Sequence, residues 1–205
     1  MTSPPLEAPA ALPPHCGDAG DAGGPAELDL RRALAQGSSD RIDRAWAVLR
    51  TVLDPEVPAL SLCELGIVRR VLEAGAGALQ VVLTPTYSGC PATEVIAASV
   101  VEAIEAAGLG PVQVSLQRAP AWTTDWISDA GRRKLRDYGI APPGPVAAGQ
   151  GVPIRLIGRA AAAPVACPRC ASAQTERLAA FGATACKALY RCLACREPFE
   201  YFKPL

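Results

Sequence analysis

Apolar residues from position 39 onward recur first at helical spacing and then in two short, strand-like runs. Ser39 or Asp40 is the expected N-cap of the helix, which should end before Pro55. The face that this helix buries is predicted to carry Ile42, Ala45, Trp46, Leu49 and Leu53. Residues 67–73 and 78–84 form two apolar runs joined by alanines and glycines, which predicts an antiparallel hairpin.

A strand, a tight loop and a second helix are predicted within residues 79–107. Pro91 suits the first turn of that helix, where a missing N–H donor costs nothing. The predicted buried face carries Ile96, Val100, Ala103, Ile104 and Ala107. Beyond it, Val112, Val114 and Leu116 alternate with polar residues and indicate a further strand. A strand–helix–strand unit gives parallel strands and places the loop before the helix at their carboxyl ends, where open sheets commonly hold their sites.

One more helix and the changes in composition complete the predicted organisation. The helix is opened by Thr124 or Asp125 and stopped at Gly139. The expected fold is a mixed α+β or α/β domain with the element order α-β-β-α-β-α, followed by a four-cysteine zinc ribbon. The predicted parts are a disordered tail over 1–38, the α/β domain over 39–141, a linker over 142–164 and the ribbon over 165–205.

Composition argues against several classes of function. The chain has 205 residues with 20 Lys and Arg against 20 Asp and Glu, so a nucleic-acid partner is not expected. It has neither an apolar run near the ~18 residues of a membrane span nor a signal-peptide pattern, which predicts a cytoplasmic protein without a membrane partner. The one histidine, His15, lies in the predicted tail, so Ser-His-Asp and Cys-His catalysis lack an imidazole.

Cys90 lies between Gly89 and Pro91, at the predicted entrance of the second helix. The unpaired N–H groups and the positive dipole end of a helix favour a thiolate, so we expect a lowered pKa and a nucleophile or metal ligand here. The alternative is that Cys90 caps the helix or fills a gap as a small apolar residue. Asp54 and Glu56, in the loop before the first strand, are metal ligands, bases or ordinary loop acids.

Two Cys-x-x-Cys pairs give the most specific local signal. They are separated by 21 residues, enough for a hairpin, and match a zinc ribbon with the ligands Cys167, Cys170, Cys192 and Cys195. A segment of about 40 residues seldom folds on a hydrophobic core alone, so structural zinc is the favoured cofactor and an iron–sulfur cluster the alternative. Cys186 is an additional thiol nearby, which either packs or belongs to such a cluster.

Several motifs taken together resemble the PaaD family (also called PaaJ), accessory subunits encoded with the ring-1,2-phenylacetyl-CoA epoxidase. They are Asp54-Pro-Glu-Val-Pro, Leu65-Gly-Ile-Val, Thr84-Pro-Thr-Tyr-Ser-Gly-Cys-Pro and Phe181-Gly-Ala-Thr-Ala-Cys-Lys-Ala-Leu-Tyr-Arg-Cys. The resemblance covers about residues 42–203. The Asp-Pro-Glu and Gly-Cys-Pro motifs are similar to those of the iron–sulfur-assembly domain in SufT and in the eukaryotic cytosolic assembly factors.

The resemblance implies that Cys90 is the reactive thiol, close to Asp54 and Glu56, with Thr84 as a further site residue. It implies service to aerobic phenylacetate catabolism, beside a di-iron oxygenase and a reductase that carries flavin and a [2Fe–2S] cluster. The resulting hypothesis is a non-catalytic maturation or assembly factor for the epoxidase that handles iron or an iron–sulfur cluster. Iron–sulfur assembly proteins and a second copy in a homodimer are further expected partners. A structural subunit of the epoxidase and a thiol-dependent enzyme are the alternatives.

Overall fold

The computed structural model describes residues 38–87, 89–144 and 164–205. Its first segment contains helix α1 (Ser38–Leu49), strands β1 (Val68–Glu73) and β2 (Leu79–Leu83), helix α2 (Thr93–Ala106), strand β3 (Val112–Leu116), helix α3 (Asp129–Tyr138) and strand β4 (Ile140–Ala141). The cysteine-rich segment contains strands β5 (Thr175–Ala179), β6 (Lys187–Cys192) and β7 (Pro198–Phe202). Residues 1–37 of the predicted tail and 145–163 of the predicted linker lie outside the described residues.

The element order α1-β1-β2-α2-β3-α3 confirms the predicted mixed α/β fold. Strands β1 and β2 form the antiparallel hairpin, and β3 pairs parallel with β2 in the sheet order β1-β2-β3. Val81, Val82 and Leu83 of the central strand β2 are almost fully buried, which explains why these three consecutive residues are apolar. Since β2 leads into α2, the loop that holds Cys90 follows the carboxyl end of β2, as predicted.

Helix α1 ends at Leu49, earlier than the predicted end before Pro55. Leu53, predicted on its buried face, is 53% exposed and forms an isolated antiparallel bridge with Ser61. This bridge closes the loop that carries Asp54. The prediction for Leu53 is therefore wrong, because a contact between two loop positions leaves no trace in helical periodicity.

Helix α3 begins later than predicted. Its N-cap is Ser128, whose hydroxyl accepts a hydrogen bond from the Gly131 N–H at 3.0 Å. Thr124 and Asp125, the expected N-caps, lie instead in a separate 3-10 turn. The predicted stop at Gly139 is confirmed, since this residue has a φ of +93° and forms a left-handed C-cap.

The cysteine-rich segment packs onto the α/β segment and shares a sheet with it. Strand β4 pairs parallel with β7, and the sheet continues in the order β4-β7-β6-β5. Phe202, at the end of β7, is 1% exposed and contacts Trp122, with ring centroids 6.0 Å apart. Phe202 and Cys186 both belong to the buried cluster that contains the core of the α/β segment. The contact therefore brings side chains from two distant parts of the sequence into one hydrophobic core.

Gly66, in the Leu-Gly-Ile motif, is a position that requires glycine. Its φ is +70°, and a Cβ atom here would lie 2.6 Å from the carbonyl oxygen of Trp126. We expect Gly66→Ala to lower the free energy of unfolding by about 2–4 kcal/mol, because backbone strain and a steric clash add. Urea denaturation followed by circular dichroism measures this loss.

Gly75→Ala is the matched control, because among the described residues nothing lies within 4 Å of a Cβ atom at Gly75. The control should unfold close to the parent midpoint. Equal losses in the two variants would contradict the steric explanation for Gly66.

Candidate functional site

The four cysteines of the predicted ribbon come together at one end of the β5–β7 sheet. Cys167 and Cys170 lie in the turn before β5, while Cys192 ends β6 and Cys195 lies in the turn before β7. The Cys167 and Cys195 sulfurs are 3.8 Å apart and the Cys170 and Cys192 sulfurs 3.5 Å, and all four lie within 4.8 Å of one another. The structure thus brings together all four predicted ligands.

The geometry of this cluster fits a tetrahedral thiolate site. Zn–S bonds of about 2.3 Å place neighbouring sulfurs of a tetrahedron about 3.8 Å apart. A turn with positive φ follows each Cys-x-x-Cys pair, at Ala171 and Arg196. The Cys195 N–H donates to the Cys192 sulfur at 3.5 Å, and this bond, together with hydrogen bonds from the Ala194 N–H and the Cys170 thiol, lowers the pKa of the Cys192 thiol to about 6. Four converging thiols, at least one readily ionised, form a site for a thiophilic metal ion.

We expect the purified chain to contain one metal ion per chain in this cluster, and Cys170→Ser to lose it. Metal binding contributes on the order of 10 kcal/mol in small four-ligand domains, so the variant should also lose amide protection in β5 and β6. Elemental analysis and hydrogen exchange measure the two effects. Ser172→Ala, in the same turn but without a ligand atom, should keep the ion. Full metal content in Cys170→Ser would contradict the four-cysteine site.

A second group of thiols and carboxylates lines a small cavity where the two segments meet. The cavity has a volume of about 20 Å³, room for one water molecule or ion. Its polar lining includes Asp54, Glu56, Cys90 and Cys186, and the remaining wall consists of Val57, Leu65, Ile67, Pro85, Thr86, Ile96 and Phe202. The structure thus places Cys90 beside both predicted acids and adds a thiol from the ribbon.

The acidic side of the cavity is built by the loop after α1. The Asp54 carboxylate is only 6% exposed, and its Oδ1 accepts hydrogen bonds from the N–H groups of Glu56 at 2.9 Å and Val57 at 2.7 Å. Burial raises the pKa of Asp54 although these two bonds oppose the shift. Burial and the nearby Asp54 charge raise the pKa of Glu56. The loop therefore holds two carboxylates close together, although burying their charges is energetically unfavourable.

Cys90 is half-buried, and the expectation of an activated thiolate is wrong for the metal-free protein. Burial raises the pKa of Cys90, and the Glu56 and Asp54 charges act in the same direction. The Ala92 N–H and the Thr93 hydroxyl oppose this shift without overcoming it. Helix α2 begins only at Thr93, so the thiol does not sit directly at its N-terminus. Cys90 is therefore a neutral thiol at pH 7 until something displaces its proton.

Cys186 is the cavity residue whose role sequence reasoning left open. Its sulfur lies 3.0 Å from the Thr184 hydroxyl and 4.0 Å from the Glu56 Oε2 atom. Burial raises the pKa of Cys186, and the Glu56 charge adds to the effect. Its position six residues before Cys192 suggested a role in the ribbon cluster, yet the described fold turns it toward the α/β segment.

Thr84, the remaining predicted site residue, does not line the cavity. It follows β2, and its N–H donates to the Ile67 carbonyl oxygen at 2.8 Å. Its hydroxyl is buried without a hydrogen-bond partner among the described residues. The adjacent residues Pro85 and Thr86 form the cavity wall instead.

We expect Asp54→Asn to raise the melting temperature at pH 7. The raised pKa of Asp54 means that folding disfavours its charged form, and the substitution removes that charge. The gain should disappear at acidic pH, where Asp54 is protonated and neutral. A gain of 1 kcal/mol corresponds to about 2–4 °C for a chain of this size. Differential scanning calorimetry at several pH values measures it.

The exposed substitution Glu102→Gln on α2 is the control and should leave the melting temperature nearly unchanged. A lower melting temperature of Asp54→Asn at pH 7 would show that the loop hydrogen bonds outweigh the cost of burying the charge.

Family comparisons cover both segments. Residues 42–116 match the family described as iron–sulfur cluster assembly protein, and residues 155–203 match the PaaD zinc beta ribbon domain. The chain is 48% identical over 170 residues to a putative 1,2-phenylacetyl-CoA epoxidase subunit of Escherichia coli, with 83% of this chain and 97% of the relative covered.

Two further similarities each cover half of this chain or less. An Fe-S protein maturation auxiliary factor of Porphyromonas gingivalis is 33% identical over 89 residues, which cover 43% of this chain and 84% of that protein. The crystal structure of a domain of unknown function, DUF59, from Bacillus anthracis has 23% identity and a TM-score of 0.44, covering 50% of this chain and 96% of that one. Within the described residues, no helix is long and apolar enough to span a membrane.

Proposed function

Because the chain belongs to the PaaD family of phenylacetyl-CoA epoxidase subunits, we propose that it is an accessory factor that matures the epoxidase in phenylacetate catabolism. Its role is to assist insertion of iron or an iron–sulfur cluster into other subunits, without turning over the substrate itself. The observation that carries this proposal is the cavity in which Cys90 meets Asp54 and Glu56. Asp54, Glu56 and Cys90 all lie within residues 42–116, which match the iron–sulfur cluster assembly family.

The chemistry of the cavity favours metal handling over catalysis by the thiol. A neutral Cys90 thiol is a poor nucleophile, and the single histidine, His15, lies far from it in sequence. A metal ion changes this situation, because it displaces the thiol proton on binding. Carboxylates beside the thiol supply additional ligands and accept such protons. Substrate oxidation is then the task of the oxygenase and reductase components, which we propose as the partners.

The ribbon supports this function as a folded unit. We propose structural zinc as its ion, because four cysteine ligands fill a tetrahedral shell and leave no position for a substrate. An iron–sulfur cluster in the same cysteines is the alternative, and the elemental analysis described above distinguishes the two metals.

The test is a strain that lacks the gene for this chain and expresses a tagged epoxidase. We expect the purified epoxidase to contain less iron and labile sulfide than the parental complex and to lose activity accordingly. The parental chain should restore both, and Cys90→Ser should fail although it folds and retains the ribbon metal. Iron, sulfide and visible absorption of the epoxidase are measured together.

Cys63→Ala is the matched control, since it removes a cysteine of the α/β core that does not line the cavity. Full iron content and activity without the chain would contradict a maturation role. Restoration by Cys90→Ser, with the chain bound stoichiometrically to the epoxidase, would favour a structural subunit. Alkylation-sensitive turnover of substrate by the isolated chain would favour a thiol-dependent enzyme.

A further inference from the structure

The cavity at the junction collects its ligand-type groups from three separate segments. Asp54 and Glu56 come from the loop after α1, Cys90 from the loop after β2 and Cys186 from the turn before β6. Apart from Thr86, the other lining residues are apolar. Thiols and carboxylates that converge in an otherwise apolar cavity are typical of a binding site.

The position of Cys186 is fixed from several sides. The Lys203 N–H donates to the Cys186 carbonyl oxygen at 2.9 Å, and the Thr184 hydroxyl contacts the sulfur at 3.0 Å. Glu200 holds both flanks of the turn, since it accepts from the Ala183 N–H at 3.0 Å and pairs with the Lys187 ammonium at 2.7 Å. The chain therefore orders a thiol that the four-cysteine cluster does not use.

The chemistry of these groups selects the kind of ligand. Thiolates combined with a carboxylate suit borderline and soft divalent cations such as Fe²⁺ and Zn²⁺, whereas Mg²⁺ and Ca²⁺ prefer oxygen ligands alone. The cavity volume of about 20 Å³ is enough for a single ion.

The site is less closed than the ribbon site. The Cys186 sulfur and the Glu56 Oε2 atom are 4.0 Å apart, close to the separation of two ligands on one ion. Among the described residues, however, only the ribbon cysteines place three or more ligand atoms within 4.8 Å of one another. Side-chain rotation must complete the junction site. An incompletely closed site suits an ion that is taken up and passed on.

We propose that Cys90, Cys186 and Glu56 together bind one thiophilic divalent cation, separate from the ion in the ribbon cluster. This proposal rests on the proposed function and deepens it, because it identifies the cargo as a single ion and makes the ribbon a contributor of one ligand. Asp54 shapes the loop that presents Glu56 and adds negative charge beside the ion.

The test is a titration of the full chain, zinc-loaded in the ribbon and free of oxygen, with Co²⁺ as the probe. We expect a second metal equivalent with thiolate-to-cobalt charge-transfer absorption, while the ribbon zinc stays in place by elemental analysis. Cys90→Ser and Cys186→Ser should each lower this absorption to about half at saturating Co²⁺ and weaken Co²⁺ binding by at least about tenfold, the loss that removal of even an outer partner causes. Cys63→Ala should bind like the parent.

Glu56→Gln removes the third proposed ligand and leaves both thiols intact, so it should also weaken Co²⁺ binding. This variant tests the site even if Cys186→Ser fails to fold. Absence of a second equivalent, or a second equivalent unchanged in folded Cys186→Ser, would overturn the proposed ion site. These outcomes are independent of the strain test. A chain without the second site that still restores epoxidase iron would retain the proposed function and lose only this inference.

Discussion

The burial of Phe202 in the core of the α/β segment is the contact on which the arrangement of the molecule depends. Full burial of a phenylalanine side chain contributes about 1.5–3 kcal/mol, and Trp122 packs against its ring. This contact anchors the end of β7, which pairs with β4 on one side and β6 on the other. Because the next residue, Lys203, bonds to the Cys186 backbone, one buried ring sets the position of a distant thiol.

The cavity retains groups that a purely structural core would replace. Asp54 stays buried although burial raises its pKa, and Cys186 is buried beside the Glu56 carboxylate. Lys187 lowers the cost of these charges, but its ion pair with Glu200 ties the ammonium to the ribbon. Positions at which a chain departs from the rules of stable packing are expected at functional sites. The buried Asp54 and Cys186 both line the same cavity, which identifies this cavity as the candidate functional site.

Sequence patterns predicted the α/β segment and the ribbon ligands because both depend on local spacing. Four of the five residues of strand β2 are apolar and buried, and the Cys-x-x-Cys pairs encode their own turns. Patterns failed where tertiary contacts decide the outcome. Leu53 forms a bridge with Ser61 instead of continuing α1, and burial reversed the expected pKa shift of Cys90. Cys186 meets Glu56 across 130 residues of sequence, a contact that no local spacing contains.

The two thiol sites differ in closure, and this difference explains why one chain contains both. The ribbon cysteines already lie at separations that fit a tetrahedral ion, so this site needs no rearrangement to bind one. The junction site closes only when side chains rotate, so we expect its ion to bind more weakly and to exchange. The strands that the ribbon ion stabilises also position the turn before β6, and with it Cys186. An ion in the ribbon would thus hold Cys186 in place without contacting the ion at the junction. Because Cys186 is already ordered, closing the junction site costs less entropy.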